Sequence, residues 1–355
     1  NKIYDANTTA TLNTSLVNYA GLISGDILSG TYSGAFANIN AGTGKTVVIT
    51  SNYSGTDLNN YSITDQSSTT ANISAKALTA TASSSNKVYD GNNTATTTLT
   101  LSGLIGTETL GQTVGSTFNN KNVGTGKTVT VNSITLADGS NGGLAANYSI
   151  STGQTTTANV TAKALTVSGI TASNKIYDGN TVATIDTSLV NFGGLVAGDN
   201  LVISTSGNFS DRNVANGIIV TLNSSYAGTD LNNYIITDQN TTSANITQRP
   251  AGVTGITVFG LTLNNKIYDG TVTAPLDTSN ISYSGLVDGD DFTGSYTGVF
   301  ADANVGIGKT VTITSSYSGA DVGNYSVTNQ STATGNIVPK ALTAAASSSN
   351  KVYDG

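Results

Sequence analysis

The sequence predicts an all-β chain: a tandem array of Ig-like antiparallel β-sandwich domains forming an elongated rod. Three observations carry that expectation. A six-residue motif returns at near-constant spacing along the 355 residues. The bulk is Thr, Ser, Asn, Gly and Ala with β-branched Val and Ile, and 40 Gly stand against only 3 Pro; such a mixture suits strands joined by many turns. Short alternating segments recur every 8–14 residues between Gly, Asn, Asp and Ser clusters, about seven per unit, with no 3.6-residue stripe.

The motif comes first along the chain. "NKIYDA" at 1–6 returns as "NKVYDG" at 86–91, "NKIYDG" at 174–179 and 265–270, and "NKVYDG" at 350–355. Its tyrosines, Tyr4, Tyr89, Tyr177, Tyr268 and Tyr353, are 85, 88, 91 and 85 residues apart. That period exceeds the 20–50 residues of solenoid and propeller repeats and fits an autonomous small sandwich. Alternation puts Lys and Tyr on one strand face and Ile or Val on the other, with Asp-Gly as a turn. The tyrosine is expected to be packed with its hydroxyl bonded, and the lysine to snorkel outward.

Next comes a Gly-Leu loop: "GLISGD" (21–26), "GLIGTE" (103–108), "GLVAGD" (194–199) and "GLVDGD" (285–290). Then "GTGKTVVIT" (42–50) recurs as "GTGKTVTVN" and "GIGKTVTIT". A phosphate loop would need Gly where Ile39, Lys121 and Ala303 stand, and Ile218 takes the lysine's place in the third copy. A turn entering a strand is the reading left. Val47 and Ile49 share one face of that strand, as do Val129 and Val131, Val220 and Leu222, Val311 and Ile313.

"DLNNYSITD" (57–65) recurs at 144–152, 230–238 and 321–329. Tyr61, Tyr148, Tyr234 and Tyr325, each two residues before an Ile or Val, have the spacing of a tyrosine corner, whose hydroxyl bonds back to upstream backbone. Leu144 replaces the acid of the other copies. A "KALT" strand closes the period, and repeat edges are expected just before it. The domains are therefore 1–75 (repeat 1, lacking its first strand), 76–162 (repeat 2), 163–248 (repeat 3), 249–339 (repeat 4) and 340–355, the first strand of a following repeat. Linkers are nearly absent, which favours a semi-rigid array.

Composition excludes much chemistry. With no Cys, His, Met or Trp, there are no thiolates, no Ser-His-Asp triads and no usual zinc sites. No unit carries a unique polar constellation, so the chain is not expected to be an enzyme. Net charge is −7 without clustered basic residues, which argues against nucleic acid. No apolar run suits membrane insertion. No cofactor is expected; Ca²⁺ is the one ion with nameable candidates, Asp288, Asp290 and Asp291, and it needs six or more oxygens. Lys76 after Asn72 is a conceivable isopeptide donor, although Arg249 holds that slot in repeat 4.

Together, the tandem "NK[IV]YDG", "GKTV", "NY" and "AKALT" motifs resemble the YDG repeats, relatives of the MBG repeats, of large secreted bacterial adhesins. The resemblance covers essentially the whole chain. Ala6 departs from it in the first copy, and the third unit lacks "GKTV" and the "AKALT" that should follow it. It implies a stalk or fibre segment of a haemagglutinin-like adhesin or biofilm-matrix protein, extracellular, on a bacterial surface or in a secreted fibre.

Two functions from different classes remain. One is structural: a repeated rigid spacer that pairs with neighbouring repeats or other copies of itself. The other is a module binding surface glycans or matrix polysaccharide. For the second, the tyrosines outside the recurring motifs, Tyr19, Tyr32, Tyr53 and Tyr283, would have to share an exposed groove. Because the same motif stands at both termini, the sequence is expected to be a window on a longer polymer, traced in a filament.

Overall fold

The structure, a computed structural model, describes residues 1–354. The chain is all-β, with repeated sheet units in tandem. The only helical turns among the described residues are four 3₁₀ turns of three residues, at Leu58–Asn60, Ala145–Asn147, Leu231–Asn233 and Val322–Asn324. It divides into two compact units, one of residues 1–164, 194–200 and 229–235, the other of 165–193, 201–228 and 236 onward.

Repeat 2, in the first unit, shows the plan. A five-stranded sheet runs in the order Lys87–Val88, Thr155–Thr161, Gly124–Asp138, Leu110–Phe118, Thr94–Ala95. A three-stranded sheet runs Tyr148–Ile150, Lys76–Ser84, Thr97–Ser102. Alternation buries Leu78 and Leu99 from the smaller sheet and Phe118, Val129, Val131 and Val160 from the larger. Repeat 1 has the same five-stranded sheet, and its core residues Tyr4, Phe36, Val47 and Ile73 form one cluster with Leu78 and Tyr148 of repeat 2.

In the second unit, repeat 4 has a five-stranded sheet of matching order and a three-stranded one, Ser282–Ser284, Ile256–Phe259, Val327–Thr328. Its core holds Leu261, Phe300, Val311, Ile313 and Ile337. The larger sheet of repeat 3 is built likewise, with Val220 fully buried.

Three details depart from the sequence expectation. First, the sheets are mixed. Lys87–Val88 runs parallel to Thr155–Thr161, and Tyr148–Ile150 runs parallel to Lys76–Ser84. The first strand is shared between both sheets, and one residue, Ala75 or Ala162, links the last strand of one repeat to the first of the next. A parallel first and last strand sends the chain out at the end opposite its entrance. Second, "GTGKT" is a bulge inside a strand rather than a turn before one. Pairing slips between Gly42 and Lys45, between Gly124 and Lys127, and between Gly306 and Lys309. The middle glycines there have φ of 61°, 59° and 64°, a left-handed conformation that glycine adopts without strain. Third, in repeat 4 the strand filling the "KALT" place is Ile256–Phe259, reached through a turn from Arg249 to Gly255, while 340–354 form no strand.

Candidate functional site: the joint between successive repeats

The motif lysine does not snorkel outward. Lys2 turns back over the Asp-Ala/Gly turn, where its Nζ donates to the Asn7 side chain at 2.8 Å and the Thr9 carbonyl at 3.2 Å and pairs with Asp5 at 2.5 Å. Lys87 and Lys175 repeat these bonds. Lys266 likewise pairs with Asp269, which it holds down at about 2, and binds the Thr271 hydroxyl at 2.8 Å where the others bind an Asn. The lysine thus fastens the turn and leaves the tyrosine facing inward. Tyr4, Tyr89 and Tyr177 are each 1% exposed, whereas Tyr268 is 40% and Tyr353 91% exposed.

The buried three meet the next repeat's Gly-Leu loop. Tyr4 Oη donates to Glu108 at 2.7 Å, Tyr89 Oη to Asp199 at 2.8 Å and Tyr177 Oη to Asp290 at 2.9 Å. Each carboxylate accepts a second phenol from its own repeat: Tyr148 at 2.7 Å, Tyr234 at 2.6 Å and Tyr325 at 2.5 Å. The second phenol also accepts the N–H of Ile105, Val196 or Val287, at 3.0, 2.9 and 2.9 Å. These bonds to upstream backbone span 38–43 residues. In each joint the two rings stand edge-on, with centroids 5.4–5.6 Å apart. In repeat 1, Asp26 receives only Tyr61, at 2.6 Å.

An asparagine completes the joint. Asn147, Asn233 and Asn324 are 0–3% exposed, and each bonds the repeat before it. Their Oδ1 atoms accept the N–H of Ala41, Val123 and Val214 at 2.8, 3.0 and 2.9 Å. Their amides face Asn40, Asn122 and Asn213 at 3.2, 3.4 and 2.9 Å. Asn60, in repeat 1, is exposed.

Two joints add a cation. Lys121 Nζ lies 3.1 Å from Asp199 and 3.3 Å from Asp230; Arg212 lies 3.0 Å from Asp290 and 2.9 Å from Asp321. In the first joint the same places hold Ile39 and Leu144, with Ile39 packed in the apolar cluster. Cation and second acid are present together or absent together.

Electrostatics follow this geometry. Burial, and then the Glu108 acceptor, push Tyr4 up to about 12; Tyr234 and Tyr325 rise to about 12 through burial and their aspartates. Burial alone would raise Asp199, but hydrogen bonds from Tyr234, Tyr89 and Lys121 outweigh it and hold the carboxyl below its ordinary range. Lys121 is raised by Tyr89 and the two aspartates.

The calcium candidates do not converge. Asp290 is engaged by two phenols and a guanidinium, Asp291 accepts the Ala320 N–H at 3.1 Å, and Asp288 is exposed. Among the described residues no group of three or more His, Cys, Asp or Glu is placed to hold a metal ion. Asn72, the conceivable isopeptide partner of Lys76, accepts the Gly44 N–H at 2.8 Å. Tyr19, Tyr32 and Tyr53 do meet, lining one cleft of about 960 Å³ in repeat 1, with the Tyr19 and Tyr32 hydroxyls 3.0 Å apart. Tyr283 lies in repeat 4, in a strand paired with Ile256–Phe259.

The acid as double acceptor was missed from sequence. Its signal was that Glu108, the chain's single Glu, stands five residues after the loop glycine, as Asp26, Asp199 and Asp290 do.

The repeated unit is also recognised by comparison. The YDG domain profile matches residues 1–71, 74–158, 161–243 and 251–334. No curated protein matches the chain. With four copies spanning nearly its whole length, the chain belongs to the YDG domain family.

Proposed function

We propose that the chain is a structural stalk or fibre segment of a large extracellular bacterial adhesin or biofilm-matrix filament, a repeated rigid spacer without catalysis. The family is generally associated with bacterial surface and adhesin-type proteins. One observation carries it: the most elaborate polar arrangement of repeats 2, 3 and 4, a carboxylate between two buried phenols, lies at the junction with the repeat before. A binding or catalytic module would spend its buried polar groups on a ligand. Here they fix one repeat against the next, with repeat edges taken at 76, 163, 249 and 340.

The glycan alternative has the Tyr19, Tyr32 and Tyr53 cleft in its favour. The same trio exists in repeat 4 as Tyr283, Tyr296 and Tyr317, and there Val258 of a strand lies opposite Tyr283. Strand packing accounts for the trio without a sugar.

Small-angle scattering of the full chain tests the spacer reading. One rigid conformer is expected, its profile unchanged by moderate heating, and Asp199→Ala with Asp290→Ala is expected to add inter-repeat flexibility. A native profile already that of freely hinged repeats would overturn it.

A further inference from the structure

The asparagine that opens the recurring motif takes no part in the turn or the joint; it bonds the last strand of its own repeat. Asn86 Oδ1 accepts the N–H of Asn159 at 2.7 Å, and Asn174 Oδ1 that of Asn245 at 2.8 Å. Three residues on, Tyr89 and Tyr177 donate their backbone N–H to the Thr161 and Thr247 carbonyls at 2.8 and 2.9 Å. The Thr161 and Thr247 hydroxyls donate to the Lys87 and Lys175 carbonyls at 3.3 Å. Between these bonds Lys87–Val88 runs parallel to Val160 and Thr161, and Lys175–Ile176 to Ile246 and Thr247. Repeats 1 and 4 are tied alike. Asn1 Oδ1 accepts the Asn72 N–H at 2.8 Å, and Asn265 Oδ1 accepts the Asn336 side chain at 3.0 Å. The Tyr4 and Tyr268 N–H groups reach the Ser74 and Val338 carbonyls, each at 2.9 Å.

The asparagines of the last strand carry the tie one strand further. Asn159 and Asn245 Oδ1 accept the N–H of Gly126 and Gly217 at 2.8 and 2.7 Å. Those glycines lie in the bulges of the neighbouring strand, where pairing slips between Gly124 and Lys127 and between Ala215 and Ile218. Three adjacent strands are therefore pinned by side chains as well as by ladder bonds. A regular ladder can slide by two residues and pair again with the same faces inward. A bulge held by a side chain fits one register only.

Strand direction decides what such a tie resists. The chain enters repeat 2 through Lys76–Ser84 and the motif, and leaves along Thr155–Thr161, with Ala162 alone before the next strand. Because the entering and leaving strands are parallel, tension along the chain draws them in opposite senses, each along its own axis. The bonds between them are then loaded together, whereas tension across a hairpin opens its bonds one after another. We propose that the Asn-Lys-x-Tyr segment is a load-bearing clamp, so that each repeat withstands stretching and the chain transmits tension. This rests on the spacer reading and deepens it: a stalk under pull is held at both ends. The same residue passes the load onward, since Tyr89, whose N–H closes the clamp of repeat 2, sets its hydroxyl on Asp199 of repeat 3.

Single-molecule stretching of the full chain, held at its two ends, tests this. Discrete steps are expected, each releasing the length of one repeat. Asn86→Ala with Asn174→Ala removes the side-chain tie from repeats 2 and 3. Those repeats are expected to unfold about fivefold faster at fixed force, while the others in the same trace keep their rate. Gln112→Ala removes a bond to the Leu99 carbonyl, at 2.6 Å, away from the clamp; it is expected to lower the urea midpoint and leave the rate under force unchanged. The chain has no Cys, so handles on Thr113→Cys and Thr135→Cys, which face each other across a hairpin ladder, set a second pulling axis. Along it the repeat is expected to yield at several-fold lower force. The clamp is overturned by a chain that extends without steps, by asparagine variants that leave the rate unchanged or move it no more than Gln112→Ala does, or by equal forces along both axes. Repeats that yield easily while scattering shows one rigid conformer overturn the clamp alone; hinged repeats that each resist stretching overturn the spacer reading alone.

Discussion

Removing the Asp199 carboxylate leaves Tyr89, Tyr234 and Lys121 without their shared acceptor. Asp199→Ala is therefore expected to cost about 2–4 kcal/mol in urea denaturation, since two buried hydroxyls lose their partner. Tyr89→Phe, which deletes one donor and leaves the acid its other bonds, is expected to cost about 1 kcal/mol. Equal losses would mean the carboxylate is not the hub. The phenols also set an alkaline limit. Tyr4, Tyr234 and Tyr325 lie at about 12 in the folded chain, above the ordinary value near 10. Their contribution is complete below about pH 10 and is lost as pH rises through about 12. Tyrosinate absorbance from these residues is expected to appear together with loss of the β circular dichroism. All tyrosines ionising near pH 10 with structure intact would contradict it. Asp199 has the opposite sign: its depressed carboxyl stabilises above about pH 4, and that contribution is lost as pH falls below it.

Strands and joints differ in how far their logic was visible in the sequence. The buried faces of Val47, Val129, Val220 and Val311 follow from period-2 alternation, which is local and needs no partner. The acids of the Gly-Leu loops invited a calcium reading because an aspartate-rich loop looks alike whether it serves an ion or a phenol. Their partners lie 104–113 residues upstream, in another repeat, and only the packing of repeats brings them together. The charge clamp was legible as a pattern but not as a contact: Ile39 goes with Leu144, Lys121 with Asp230, and Arg212 with Asp321. A double-mutant cycle checks it. Ile39→Lys alone places an unpaired charge against apolar neighbours and is expected to cost about 1–3 kcal/mol, and Leu144→Asp in the same chain to recover about 1 kcal/mol or more. Simple additivity would reject the clamp. Gly91 gives a steric test. Its φ is 82° and an added Cβ would stand 2.6 Å from Val196 Cγ1, so Gly91→Ala is expected to destabilise by about 1–2 kcal/mol, with Val196→Ala relieving part.

For the whole molecule, each joint is a nearest-neighbour coupling, so stability is the sum of repeat terms and joint terms. Denaturant unfolding of the native chain is expected to be more cooperative than that of Asp199→Ala, in which repeats on either side of the joint separate into distinct transitions. Identical single transitions in both would show that the repeats do not communicate through that carboxylate. Salt offers a finer test. The first joint, with Ile39 and Leu144, is expected to be indifferent to 1 M salt, and the joints holding Lys121 and Arg212, both partly open to water, to weaken under the same screening.

The pairing of cation with second acid has a consequence for inheritance. Tandem copies are gained and lost by unequal exchange, and each exchange brings new neighbours together. Loss of repeat 3 would set Lys121 against Asp290 and Asp321, a matched junction. Loss of repeat 2 would set Ile39 against Asp199 and Asp230, leaving two acids facing no cation. Changes in copy number are therefore expected to differ in junction stability: the junction chemistry acts as a grammar for which repeats stand best next to which.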